Sequence, residues 1–181
     1  PATNEAMFAV MMGRLDDLDD LLLRDVSPRD AWAGITAEHV MRREIARELQ
    51  HHANGLYKID QEAATADEKE TDIRLRSTAS DHEAVVELKL ADGRTARDMR
   101  DALKDQLVTK YMAAETSRSG CLMVTLAKDR KWDHPDGGSQ IGFDDLVTLL
   151  RQEATRIVDS LGGTLRLHVH ALDLRPRLPT E

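Results

Sequence analysis

The alternation of apolar and polar positions changes period along this chain, and each change marks an element. Residues 3–24 set Leu15, Leu18, Leu21 and Leu22 at helical spacing among aspartates that keep the other side solvated. Ser27-Pro28-Arg29-Asp30 supplies an N-cap, a proline at the first helical position and an acid in the first turn, and so starts a short helix through Trp32. A third helix is predicted over about 36–51, with Ala37, Val40, Met41, Ile45 and Leu49 on one arc and Asn54-Gly55 closing it. From Leu56 the period falls to two. Residues 56–62 predict a strand, and 63–70 are polar with no apolar anchor. Residues 71–76 alternate Ile73 and Leu75 with Asp72, Arg74 and Arg76, and 84–90 set Val86, Leu88 and Leu90 against Val85, Glu87 and Lys89. After the Asp92-Gly93 turn, Thr95-Ala96-Arg97-Asp98 has the form of a capping box with Asp in place of Glu, opening a helix to about residue 113. The run 120–127 is apolar almost throughout, as in a strand covered on both faces. An amphipathic helix over 143–161 ends at Gly162-Gly163, and 164–174 form the last strand.

The order helix, strand, strand, strand, helix, strand, helix, strand implies an α/β fold with a central mixed sheet flanked by helices. We divide the chain into an N-terminal helical extension (1–35), an α/β domain (36–174) and a tail or linker (175–181). The start at Pro1 and the stretch Arg175-Pro176-Arg177-Leu178-Pro179 resemble cut or linker sequence, which suggests a domain from a longer parent chain. The net charge of −8 argues against a broadly basic nucleic-acid surface. Its distribution is uneven: residues 1–70 carry 15 acids and 8 bases, and 71–181 carry 18 and 17. The apolar run at 7–12 is too short to cross a membrane and no signal peptide is visible, so an intracellular, cytoplasmic protein is expected. The single cysteine, Cys121, excludes an internal disulfide and reads as a buried structural thiol.

The second and third predicted strands hold the chemistry. With 77–82 as the turn of an antiparallel hairpin, paired residue numbers sum to about 159, and Asp72 falls opposite Glu87. Directly opposed side chains on one face have Cβ atoms roughly 4.5–5.5 Å apart, where like charges destabilise. A divalent metal would compensate them, since hard cations take carboxylate oxygens and keep waters for chemistry. Lys89, on the same face, could orient an attacking water or stabilise charge developing on a phosphate. Three glutamates of the third helix, Glu38, Glu44 and Glu48, fall inside its apolar arc, while Arg42, Arg43 and Arg47 lie outside it. They either sit at the arc's edge paired with bases or serve the site.

Asp72, fourteen residues, then Glu87-Leu88-Lys89 resembles the PD-(D/E)XK, or restriction-endonuclease-like, nuclease superfamily, over roughly residues 36–174. Thr71 stands where a proline often precedes the aspartate. The resemblance implies that Asp72, Glu87 and the carbonyl of Leu88 bind Mg2+, with Mn2+ as a substitute, and that Lys89 assists the water. It also implies a helical glutamate, Glu38 first and Glu44 second, in the metal site. Family members often carry a glutamine and, four residues on, a tyrosine on the next helix. Here Gln106 is the site candidate, Lys110 fills the second slot as a phosphate contact, and Tyr111 comes one residue late and reads as packing. The implied activity is a magnesium-dependent deoxyribonuclease acting on DNA, in bacteria often the effector of a restriction or antiviral defence protein, with dimers compatible. A catalytically silent interaction module and an RNA-directed nuclease are the alternatives.

Other residues attract a functional reading without completing one. Lys128, Arg130, Lys131 and Trp132 could contact a nucleic-acid backbone, or Trp132 could clamp its loop to the body. Asp133 and His134 are two metal-type ligands without a third. His168 and His170 share a strand face and read as a solvent-facing or edge pair, Trp32 as a core anchor, and Glu62 and Glu70 as solvated acids. No internal repeat or phosphate-cradling glycine loop is present.

Overall fold

A computed structural model describes residues 1–60 and 72–177. Five strands, β1 (Tyr57–Asp60), β2 (Asp72–Ser77), β3 (Glu83–Leu90), β4 (Ser119–Leu126) and β5 (Arg166–Asp173), form one open sheet in that spatial order. β1, β2 and β3 pair antiparallel, whereas β3, β4 and β5 pair parallel. The expected α/β class with a mixed sheet flanked by helices is therefore present. The sheet changes from hairpin to crossover connections at β3, which is where helices begin to separate consecutive strands.

Helices α1 (Asn4–Leu23), α2 (Arg29–Ala33) and α3 (Glu38–His51) cover one face. Their buried residues, among them Met11, Leu15, Trp32, Ile45 and Leu49, join Ile73, Val86, Leu88, Cys121 and Met123 in a single core. The first 35 residues thus pack into the same core as the sheet. Thr3 caps α1 by accepting a hydrogen bond from the Ala6 amide at 3.1 Å. The carbonyls at the far end of α1 are met by Arg29, whose Nε donates to Leu22 O at 3.3 Å, and by Arg177, which donates to the Leu22 and Leu23 carbonyls.

Helix α4 (Ala96–Ala102), the segment that continues it and α5 (Phe143–Ser160) cover the other face, against Val85, Leu122, Val124 and Val169. The Thr95–Asp98 capping box opens α4 as expected, and its hydrogen bonds from Thr95 hold the Asp98 carboxyl below its ordinary range. The single α-helix expected to about residue 113 is corrected: from Leu103 to Tyr111 the chain winds as a π-helix. This wider winding turns Leu103, Leu107, Tyr111 and Met112 toward the sheet together. They press closely on β4 at Gly120, where an added Cβ would lie 2.5 Å from Met112 Sδ and 3.2 Å from Leu107 Cδ1. Every residue of β4 is buried, as its apolar run requires.

Candidate active site

The β2–β3 register pairs Asp72 with Glu87, as the sum of 159 anticipates. Asp72 is 9% exposed, Glu87 is fully buried and Lys89 is 4% exposed. A carboxylate in such surroundings has to be paired, because removing it from water unpaired costs several kcal/mol. Lys89 Nζ lies 2.7 Å from Glu87 Oε1, the contact that two-residue strand spacing allows. On β2 the same spacing brings Arg74 Nε to Asp72 Oδ2 at 2.9 Å, and Arg74 Nη1 reaches across to Glu83 Oε1 at 2.7 Å. Arg76 extends the array, with Nε 3.3 Å from Glu83 and Nη1 2.8 Å from Asp60. Leu88 turns its side chain into the core of the opposite face. Only its backbone carbonyl is placed between Glu87 and Lys89.

Glu38 lies at the start of α3, where its Oε2 is 3.8 Å from Lys89 Nζ. Its Oε1 accepts from Arg94 at 2.7 Å (Nε) and 2.6 Å (Nη2). Of the helical glutamates, this is the one that reaches the hairpin charges. Glu44 pairs with Arg47 at 3.1 Å along its own helix, and Glu48 lies 4.0 Å from His51. Among the described residues, Glu38 Oε2 is buried and makes no hydrogen bond. It is an acceptor with capacity left.

Tyr111 is the residue the sequence undervalued. Its ring lies under the Arg74 guanidinium at 5.1 Å, and burial, with the Asp72 and Glu87 carboxylates nearby, pushes its hydroxyl up to about 12. The phenol therefore stays neutral beside two acids. In an α-helix the one-residue delay after Gln106 would rotate Tyr111 by about 100° from the expected slot. The i→i+5 winding instead puts Gln106 and Tyr111 one turn apart, so the signal lay in helix winding that residue counting does not reveal. Gln106 is exposed on this segment. Lys110 lies 5.1 Å from the Tyr111 ring.

The remaining candidates fall away from this centre. Trp132 is buried and donates its indole N–H to the Arg94 carbonyl at 3.0 Å, while its ring sits 6.0 Å from Phe143 and under Arg130. It clamps the loop. Asp133 accepts from Gln140 and His134 Nδ1 accepts from the Asp136 amide, so both stabilise their own turn. The reading of His168 and His170 as solvent-facing is corrected in part. β5 is an edge strand, but α1 covers this face, His170 is buried, and it sits 3.0 Å from Asp19 and 3.3 Å from His168. Cys121 and Trp32 are buried in the core, and burial pushes the Cys121 thiol far up. Glu62, Glu70 and Thr71 lie outside the described residues.

Among the described residues no three His, Cys, Asp or Glu side chains converge closely enough to hold a metal. The donor chemistry still fits a hard divalent ion, since magnesium binds through one or two carboxylates with water and substrate oxygens completing the shell. Asp72 and Glu87 face each other across the hairpin, and Glu38 Oε2 adds an unfilled acceptor at its edge. No described helix is long and apolar enough to cross a membrane. Compared with known proteins, the chain matches no family model, no curated protein and no solved structure.

Proposed function

We propose that this chain is a metal-dependent nuclease domain with a restriction-endonuclease-like core, hydrolysing phosphodiester bonds in DNA. The observation that carries the reading is the buried, direct opposition of Asp72 and Glu87, with Lys89 on the same face of β3. Asp72, Glu87 and the Leu88 carbonyl would hold Mg2+ or Mn2+, with Glu38 at the margin. The ion, when bound, would polarise the phosphate and lower the pKa of the attacking water. Lys89, 2.7 Å from Glu87, would supply a positive charge to the attacking water and to charge developing on the phosphate. Hydrolysis forms a P–O bond to the water oxygen, breaks the P–O bond to the departing sugar oxygen, and delivers a water proton to that oxygen. Tyr111, neutral up to about 12, offers a hydroxyl at this place without adding a charge. Plasmid DNA incubated with the protein and magnesium or manganese is expected to be cut. Undiminished cutting by Asp72→Ala or Lys89→Ala would remove the assignment, and a labelled RNA run in parallel distinguishes the two polymers.

A second reading, a metal-free interaction module, draws on the cations already in place. Arg74, Lys89 and Arg94 pair Asp72, Glu87 and Glu38 without an ion. Calorimetric titration separates the two readings, because a silent module shows no Mg2+ or Mn2+ binding that depends on Asp72 and Glu87.

A further inference from the structure

We infer that Arg74 exchanges places with the metal: it holds Asp72 in the metal-free protein, yields that carboxylate to a divalent ion, and then presents its guanidinium to a substrate phosphate. This rests on the nuclease reading and adds a residue that the D…ExK pattern does not contain. Arg74 Nε is 2.9 Å from Asp72 Oδ2, so a cation already sits on a carboxylate the metal requires. Two further contacts keep the side chain near when Asp72 is taken. Nη1 donates to Glu83 Oε1 at 2.7 Å, and the guanidinium lies 5.1 Å above the Tyr111 ring. Strand geometry reinforces this, since Asp72 and Arg74 share one face of β2 and cannot separate by more than a rotamer change.

The consequence for metal uptake is competition. The guanidinium and the ion claim the same Asp72 oxygen, and a metal ion approaching it also meets the arginine's positive charge. After exchange, the guanidinium is a planar fork of donors beside the ion, and that geometry matches two oxygens of a phosphate. Lysine in its place would keep the charge and lose the fork. A wholly structural Arg74 would behave differently: its removal would loosen the hairpin and weaken metal binding.

The test is calorimetric titration of Mn2+ into wild type, Arg74→Gln and Arg74→Lys, with no nucleic acid present and folding checked by far-ultraviolet circular dichroism. Arg74→Gln is expected to bind Mn2+ roughly tenfold more tightly, because the ion no longer has to displace a charge-assisted hydrogen bond from Asp72 Oδ2. A short DNA duplex added with Ca2+ is expected to bind both variants more weakly than wild type. Unchanged or weaker Mn2+ binding by folded Arg74→Gln overturns the inference. Should Arg74→Gln not fold, Arg74→Lys decides: Mn2+ affinity near wild type with weakened duplex binding supports it, and wild-type duplex binding overturns it. If wild type itself takes up no Mn2+ through Asp72, the nuclease reading fails first, and that result is distinct from failure of the exchange.

Discussion

The two faces of the sheet each hold a pair of polar side chains two residues apart on one strand: buried Glu87 with Lys89 toward the π-helical segment, and half-buried His168 with buried His170 toward α1. Strand periodicity makes both pairs neighbours. Their chemistry then diverges. Glu87 and Lys89 carry opposite charges, and Arg74, Arg94 and three further acids extend the alternation outward. His168 and His170 could gain only like charges, so burial first, and His170 next, push His168 down to about 4 and keep it neutral. Asp19 on α1 meets His170 from the rim. Burial therefore preserves a charge only where the strand supplies its opposite. The hairpin is a standing array of ions, whereas burial keeps His168 neutral.

The strongest way to break this comparison is Lys89→Met, which leaves Glu87 buried without its nearest cation. Urea unfolding is expected to show a loss of about 3–5 kcal/mol. A loss below about 1 kcal/mol would show the hairpin charges to be held no more firmly than a surface pair. Next comes Gly120→Ala, which pushes a methyl group into Met112 and Leu107 beneath the π-helical segment. It is expected to cost about 1–3 kcal/mol by overpacking. Where Tyr111 is displaced, spectrophotometric titration is expected to find a tyrosine ionising closer to 10 than to 12, moved away from the two carboxylates.

The α1 face calls for smaller effects. Asp19→Ala removes the carboxylate at His170 Nε2, and because Asp19 is half exposed a loss of about 1 kcal/mol is expected in the same unfolding assay. Its sign matters more than its size, since a gain would mean that Asp19 is not a partner of His170. The last effect is read in pH. The folded pKa of His168, about 4, lies below the unfolded value near 6.5, so the unfolded chain binds more protons between them. Stability from this group is present above about pH 6.5 and is lost as pH falls toward 4. Melting curves across that window are expected to slope downward on acidification, and His168→Gln to flatten the slope. An unchanged slope would assign it to other groups.

Much of this architecture was legible in the chain. The period-two runs around Ile73 and Val86 and the turn between them fixed the register that sets Asp72 against Glu87, because a one-residue slip would turn every apolar side chain outward. The burial of β4 followed from its unbroken apolar run, and the Thr95–Asp98 cap from its spacing. Three features were hidden because they depend on partners remote in sequence or on backbone winding. Arg74 shares the polar face of the strand with Asp72, but its contacts with Glu83 and Tyr111 come from other segments and were not legible. The family resemblance already places Glu38 ahead of Glu44, but its pairing with Arg94, from the turn after β3, was not visible in the chain. Tyr111 looks one residue out of place until the helix widens. His170 likewise seemed solvated because nothing in its strand announces that α1 covers it.

The position of Cys121 has a practical consequence. It lies on β4, between β3 and β5, fully buried, with a thiol far less acidic than a free one. A thiol-reactive dye attacks the thiolate, so it can reach this sulfur only when the strands on either side part. The chain thus carries one native reporter at its centre. The labelling rate under native conditions measures how often the whole sheet opens, with no engineered probe and with no second thiol to confuse the signal.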